Sequence, residues 1–247
     1  SIGQNSLEVL ANFPDLFRPA YLTANRSIDL LQRQIERFHP KAVAVLDEKS
    51  AAILKHRLND SMKIYVGEDG LLELAGRGDI DVVINALVGF AGLQPTIEAL
   101  KHGKTVALAN KETLVVAGEI ITSLVKKYNA RLVPIDSEHS AILQCLAGEK
   151  PEQIARLILT ASGGPFLYHD RRDLPRVTVE AALKHPNWNM GKKVTIDSAT
   201  MMNKGLEIIE AHWLFGLSAD KIDVLIHPQS IIHSMVAFRD GSVVGQM

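Results

Sequence analysis

Asp136 and Glu138 stand two residues apart where an apolar run, Leu132-Val133-Pro134-Ile135, gives way to a helical pattern of Ala141, Ile142, Leu143 and Leu146. The order reads as strand, acidic turn, helix. Carboxylates at the carboxyl end of a strand can converge on one point, which is where open α/β sheets bind ligands. Paired carboxylate oxygens suit a hard divalent cation. The same residues are also explained by Asp136 capping the helix and Glu138 sitting in its first turn, where the dipole favours acids. On the pair alone, capping is the commoner arrangement.

A second group lies in Asp197-Ser198-Ala199-Thr200-Met201-Met202-Asn203-Lys204-Gly205-Leu206-Glu207. Asn203 and Glu207 are i and i+4, and Lys204 and Glu207 are i and i+3, so the three share one helix face, opposite Leu206, Ile209 and Trp213. Such a face is either solvated, with one weak ion pair, or a working face that offers a third carboxylate to a metal and a Lys and an Asn to an anion. Ser162-Gly163-Gly164, at a strand end, offers a hydroxyl and bare backbone N–H groups to an anion, or is a plain turn. Lys111 lies between Asn110 and Glu112 at a helix start, where a Lys is slightly unfavourable. It faces a ligand, or it belongs to a solvated first turn capped by Asn110. Asn25-Arg26 close a short apolar strand with no acid. In a dinucleotide-binding unit that favours NADP over NAD, although an exposed Arg opening the next helix explains it equally. Gly3 precedes a helix and could let N–H groups approach a pyrophosphate, or could be an ordinary helix start.

These residues must be positioned by the elements around them. Apolar strands at 20–24, 42–46, 63–66, 81–88, 105–109 and 132–135 alternate with helices at 48–58, 71–75, 94–102 and 112–128. That alternation predicts an α/β fold with a doubly wound parallel sheet, buried on both faces. The second half predicts a strand at 154–160, a short helix at 179–183 and a long loop at 184–192. Trp188 and Met190 in that loop suit a lid that expels water, or pin the loop to the core. A strand at 194–196, a helix ending at Gly216, a strand at 222–226 and a hairpin turning at Asp240-Gly241 complete an α+β half with a mixed or antiparallel sheet. His227 and His233 flank it and receive no metal role.

The chain has 247 residues, 47% apolar and 22% charged, with a formal net charge of −1. Nothing in that balance points to nucleic acid or a membrane surface. No apolar run approaches a membrane span. The single cysteine, Cys145, excludes an internal disulfide, fits a reducing compartment and reads as a small buried side chain. No His or Cys cluster points to zinc.

Taken together, several motifs resemble one family: Asn85-Ala86-Leu87-Val88-Gly89, Leu108-Ala109-Asn110-Lys111-Glu112, Pro134-Ile135-Asp136-Ser137-Glu138-His139, Ala161-Ser162-Gly163-Gly164-Pro165-Phe166, His185-Pro186-Asn187-Trp188-Asn189-Met190-Gly191, the 197–207 stretch, and Ile226-His227-Pro228-Gln229-Ser230. In this order they are similar to 1-deoxy-D-xylulose 5-phosphate reductoisomerases of the non-mevalonate isoprenoid pathway.

The resemblance implies a Rossmann-like NADPH-binding domain at 1–135 and a catalytic domain at 136–247. It implies Asp136, Glu138 and Glu207 as ligands of one Mg²⁺ or Mn²⁺, with Co²⁺ as a further option. Ser162, Ser198, Asn203 and Lys204 would hold the substrate phosphate, Ser137 would touch the substrate backbone, and Lys111 would lie near both substrate and metal. His185 would lie beside the substrate, under a lid carrying Trp188 and Met190. Ser1, Ile2, Gly3, Asn25, Arg26, Asn110 and Glu112 would contact NADPH. It further implies a cytoplasmic homodimer of bacterial type, with a plastid form left open.

Against the family pattern, most of the first strand and its glycine-rich turn and the C-terminal helical domain are missing. The expectation for the isolated chain is therefore weak NADPH binding and little activity. The rival readings are another NADPH oxidoreductase, of the semialdehyde or homoserine dehydrogenase type, and a non-catalytic NADPH-binding module.

Overall fold

The computed structural model describes residues 1–59, 61–184 and 191–247. Helices and strands alternate through the first part as α1 (Ile2–Ala11), β1 (Tyr21–Ala24), α2 (Ile28–Phe38), β2 (Ala42–Val45), α3 (Glu48–Arg57), β3 (Lys63–Val66), α4 (Gly67–Ala75), β4 (Val82–Asn85), α5 (Leu93–Lys101), β5 (Thr105–Leu108), α6 (Lys111–Lys127), β6 (Arg131–Pro134) and α7 (Ser137–Cys145). There follow β7 (Ile154–Ala161), α8 (Val179–Ala182), α9 (Lys192–Ala199), α10 (Met202–Phe215), β8 (Ile222–Ile226), β9 (Ser234–Phe238) and β10 (Val243–Gln246). The α/β class expected from the alternation is the class observed. Its early strands fall into two three-stranded sheets, β1-β2-β3 and β4-β5-β6, where the pattern alone predicts one. The chain divides into two compact units, Ile2–Ala107 with Ser123–Arg131, and Leu108–Thr122 with Leu132–Met247 and Ser1.

In the first unit β1, β2 and β3 pair in parallel. The run Ala42-Val43-Ala44-Val45 is apolar throughout because every one of its residues is buried. Leu22, Leu31, Ile35, Val43, Val45 and Leu54 form the core there. Asp47 caps α3, its carboxylate accepting from the Ser50 N–H at 3.0 Å and the Ser50 hydroxyl at 2.8 Å. The buried strand expected at 81–88 shrinks to β4, where Val82 and Ile84 are exposed and only Asn85 is buried. β4 ends its sheet, and an end strand lacks cover that a central one has. Asn85 is tied inward, donating to Gly92 O and Thr96 Oγ1, each at 2.7 Å.

The second unit is built on a four-stranded mixed sheet of order β10-β9-β7-β8. β7 and β8 are parallel, and β9 runs antiparallel to both β7 and β10. Ile142, Leu157, Leu159, Ala211 and Val236 pack into its core, with Cys145 among them. α10 stops at Gly216, which is left-handed as the sequence predicts. The strand expected at 194–196 is instead part of α9. Three β-branched or apolar residues are too few to overrule the i, i+4 bonds around them: Lys193 pairs with Asp197 at 2.6 Å, and the Thr195 hydroxyl donates to Gly191 O at 3.0 Å. α6 leaves helical geometry at Ala117, next to Gly118. The Trp213 ring of α10 lies so close there that a Cβ on Gly118 would stand 2.2 Å from it. Among the described residues no helix is long and apolar enough to cross a membrane.

Candidate metal centre

The Ile135 N–H donates to Leu108 O at 2.9 Å, so the ends of β5 and β6 run side by side. α6 opens just after the first end and α7 just after the second, which sets Lys111 against Asp136, Nζ to Oδ2 at 2.5 Å. α10 delivers Glu207, whose Oε1 accepts from Lys111 Nζ at 2.8 Å. Asn203, one turn earlier, donates to the same oxygen at 2.5 Å and accepts from Lys111 at 3.1 Å. Lys204 donates to Glu138 Oε1 at 2.7 Å and to Thr160 O at 2.5 Å, and its ammonium also touches Glu207 Oε2. Carboxylate oxygens of Asp136, Glu138 and Glu207 thereby lie within 4.8 Å of one another.

Two of the alternatives open in the sequence are decided by this geometry. Asp136 precedes α7 but makes no side-chain cap bond; its oxygens face Lys111 and His139 instead. The polar face of α10 is not solvated. Lys204, Glu207 and Glu210 are 5%, 2% and 0% exposed, whereas Ile209 is 39% exposed. Helical periodicity locates a face without telling which way it turns, and here the charged residues turn inward because oppositely charged partners await them. Asn110, by contrast, does cap its helix, Oδ1 accepting from the Thr113 N–H at 3.0 Å and the Thr113 hydroxyl at 2.5 Å.

Burial opposes the charge on Lys111, but Asp136 and Glu207 outweigh it and hold the ammonium above the ordinary lysine pKa. The same balance, with Glu207 and Glu138 as partners, raises Lys204. Burial alone would raise Asp136, yet Lys111 and His139 hold it below the usual carboxylate range. Glu138 is pushed up, first by burial and then by the charges of Glu207 and Asp136. Three carboxylates therefore face two ammonium groups, and one carboxylate resists ionising. Glu207 Oε2 is buried against Lys204 without hydrogen-bond geometry. All three acids are hard oxygen donors, so the set fits a small divalent cation, whose charge would relieve the excess.

The Ser162 loop lies on the same unit. Gly163 and Gly164 have φ of 88° and 70°, and a Cβ on Gly164 would stand 2.6 Å from Ser198 O. The loop thus settles on the main chain of Ser198, half-buried at the end of α9. The glycines are needed for that approach, which an ordinary turn would not require. Ser137 Oγ donates to Glu138 Oε2 at 2.6 Å. Glu112 pairs with Lys193 at 2.8 Å and accepts from Asn110 Nδ2 at 3.3 Å. In the other unit Asn25 and Arg26 are exposed at the end of β1, and Arg26 pairs with Asp47 at 3.2 Å. Ser1 and Ile2 are exposed, and Gly3 at the start of α1 is half-buried, with Ala86 Cβ 3.7 Å from where its own Cβ would be. His185, Trp188 and Met190 lie outside the described residues.

Sequence reasoning missed three residues. Asp47 is an acid within reach of Arg26, contributed by the next strand and invisible to a search at the end of β1. His139 is fully buried, its Nε2 2.9 Å from Glu207 O and its Nδ1 3.4 Å from Asp136 Oδ1. Glu210 is also fully buried, 3.6 Å from His139 Nδ1. The neighbouring acids, Asp136 first, overcome burial and raise His139 to about 9, while burial pushes Glu210 up to about 8. Glu210 carried a readable signal: it follows Glu207 by three residues and shares its face.

Comparison with known proteins agrees with these motifs. The sequence profile of 1-deoxy-D-xylulose 5-phosphate reductoisomerase matches residues 1–118, and that of the C-terminal domain of 1-deoxy-D-xylulose 5-phosphate reductoisomerase matches residues 132–215. The 1-deoxy-D-xylulose 5-phosphate reductoisomerase of Chloroherpeton thalassium is 58% identical over 100% of this chain, and that of Thermoanaerobacter pseudethanolicus is 56% identical over 100%. The chain spans 64% of the length of each. A crystal structure of DOX-P reductoisomerase in complex with NADPH, fosmidomycin and magnesium superposes with a TM-score of 0.94 at 41% identity, covering 100% of this chain and 64% of that one. The Zymomonas mobilis enzyme in complex with NADPH gives 0.92 at 42% identity over the same shares. With its motifs in order, its fold superposed and its length matched throughout, the chain belongs to the 1-deoxy-D-xylulose 5-phosphate reductoisomerase family.

Proposed function

We propose that the protein converts 1-deoxy-D-xylulose 5-phosphate to 2-C-methyl-D-erythritol 4-phosphate in isoprenoid biosynthesis, with NADPH as reductant and Mg²⁺ or Mn²⁺ at the carboxylate cluster. The observation that carries this reading is the convergence of Asp136, Glu138 and Glu207 with two buried lysines. The similar structures in complex with NADPH and magnesium support both cofactors. The rearrangement breaks and remakes a carbon–carbon bond to give an aldehyde, which hydride from NADPH then reduces. A divalent cation supplies electrostatic stabilisation of the negative charge that develops on substrate oxygen.

The chain's own residues do the rest. Asp136, Glu138 and Glu207 hold the cation. Lys111, kept protonated by its carboxylate neighbours, donates a hydrogen bond at a fixed point beside them, and Ser137 orients the sugar backbone. Ser162, Ser198, Asn203 and Lys204 bind the phosphate. That anchor lies away from the reacting carbons, so its binding energy can drive closure and exclude water. Ser1, Ile2, Gly3, Asn25, Arg26, Asn110 and Glu112 bind NADPH, within a dinucleotide-binding domain at 1–135 that precedes a catalytic domain at 136–247. The working form is a cytoplasmic homodimer.

The test is Glu207→Gln in the full-length protein. Turnover should fall by more than about 100-fold while NADPH affinity is kept. Near-normal turnover with saturating Mg²⁺ would remove the metal assignment. Activity that survives EDTA would favour simple hydride transfer of the semialdehyde or homoserine dehydrogenase kind.

A further inference from the structure

Glu210 presents an unexplained cost. It is 0% exposed, and neither carboxylate oxygen has a hydrogen-bond partner. A buried carboxyl left in that state keeps the cost of losing water with no bond to offset it, so its presence needs a reason beyond packing. Its polar neighbour is His139 Nδ1, at 3.6 Å from Glu210 Oε2. That nitrogen also makes no well-formed hydrogen bond, although Asp136 Oδ1 lies 3.4 Å away. The other nitrogen of the ring is fixed on Glu207 O at 2.9 Å, and Phe215 stacks on the ring at 6.3 Å with an interplanar angle of 5°. One imidazole therefore touches α10 at Glu207, the turn before α7 at Asp136, and Glu210. Two of those three are the acids proposed to hold the cation. Glu210 itself does not gather with Glu138 and Glu207; it groups with Asp136 and His139, whose ligand atoms and its own all lie within 4.8 Å of one another.

We infer that Glu210 is a positioning residue: it fixes the His139 ring, and through that ring it sets the direction in which Asp136 presents its oxygens to the cation. This deepens the metal reading above and rests on it. Partners behind a metal ligand typically govern 10- to 100-fold in affinity, and a residue acting this way leaves a signature that a packing residue does not.

The experiment is Mn²⁺ binding to the full-length protein, by calorimetry and by the electron paramagnetic resonance signal of free Mn²⁺, without substrate. In Glu210→Gln the Mn²⁺ dissociation constant should rise about 10- to 100-fold, while NADPH affinity and the thermal midpoint of the metal-free protein hold or improve. His139→Asn should weaken Mn²⁺ binding by a similar factor, and the double variant should be no worse than His139→Asn alone, because Glu210 acts through the ring. Should Glu210→Gln fail to fold, Glu210→Leu, which keeps the volume and loses the polar oxygens, is judged by the same constant. Unchanged Mn²⁺ affinity in a folded variant overturns the inference and leaves the metal reading intact. Additive losses in the double variant also overturn it, by making Glu210 act independently. Two Mn²⁺ per chain falling to one in Glu210→Gln overturns it in favour of a second ion at Asp136, His139 and Glu210. A parent protein that binds no Mn²⁺ overturns both readings together.

Discussion

Asp47 and Asp136 occupy the same local position: each ends a strand and precedes a helix in a βα turn. Asp47 spends its carboxylate on the helix, accepting from the Ser50 N–H and hydroxyl. Asp136 makes no cap bond and turns to Lys111 and His139. The difference follows from what each turn meets. Asp47 is half-buried and its charged partner, Arg26, is 79% exposed, so the free N–H groups of α3 are the best donors within reach. At Asp136 a buried ammonium is available, and a charged donor in a poorly solvated place outcompetes a main-chain N–H. A cap is what a strand-end aspartate does by default; its absence marks a site.

The comparison breaks most sharply where a charge is removed from the buried cluster. Lys204→Met would leave Glu138 and Glu207 facing each other without their shared cation, in a position where Lys204 is 5% exposed. Removing one partner of a buried ion pair costs about 3–5 kcal/mol, read as a fall in the urea midpoint of the metal-free protein. Asp136→Asn should act in the same direction, since it strips Lys111 of a partner at 2.5 Å. A loss below about 1 kcal/mol for Lys204→Met would mean that water reaches the cluster and screens it.

The contrast between the two aspartates explains what could be read in advance. The parallel half, the mixed sheet, the hairpin at Asp240-Gly241 and the stop at Gly216 all follow from local signals: apolar runs, period, and turn residues. The members of the site were legible as polar residues at strand ends and along one face of α10. Which way that face turned was not, because Lys204, Glu207 and Glu210 look the same along the chain whether they meet water or one another. His139 stayed hidden because its role depends on a neighbour far along the chain, Glu207 lying 68 residues after it; Glu210 was readable as a member of the α10 face, but its partner was not. The false strand at 194–196 came from weighing Val194 and Ile196 over the Lys193–Asp197 pair that straddles them.

A smaller effect is expected at the loop that settles on Ser198. Gly164→Ala places a Cβ 2.6 Å from the main-chain oxygen of Ser198, at a φ of 70°. Backbone cannot yield as a side chain can, so the cost should be about 1–3 kcal/mol, with phosphate affinity reduced as the Ser162 loop lifts. Gly163→Ala has a similar φ of 88° but meets only the end of the Leu167 side chain, at 2.9 Å. It should cost less and leave inorganic phosphate binding closer to the parent. Equal losses at the two positions would show that strain in φ, and not the approach to Ser198, governs the loop.

The smallest effect separates the two aspartates directly. Asparagine caps helices about as well as aspartate, so Asp47→Asn should keep the bond to Ser50 and lower the thermal midpoint near pH 7 only slightly. It should nevertheless alter the acid limb. Hydrogen bonds from Ser50, then the charge of Arg26, hold Asp47 below its ordinary pKa. A carboxylate depressed in the folded state adds stability above its unfolded value near 4, and that contribution is lost as pH falls through the folded value. Asparagine does not titrate, so the gap between parent and variant should narrow as pH drops from 5 toward 3. The same substitution at Asp136 cannot be neutral at pH 7, because no cap bond exists there for asparagine to inherit. If Asp47→Asn cost as much as Asp136→Asn in thermal midpoint, the two turns would be alike after all, and the missing cap bond would lose its value as a marker of the site.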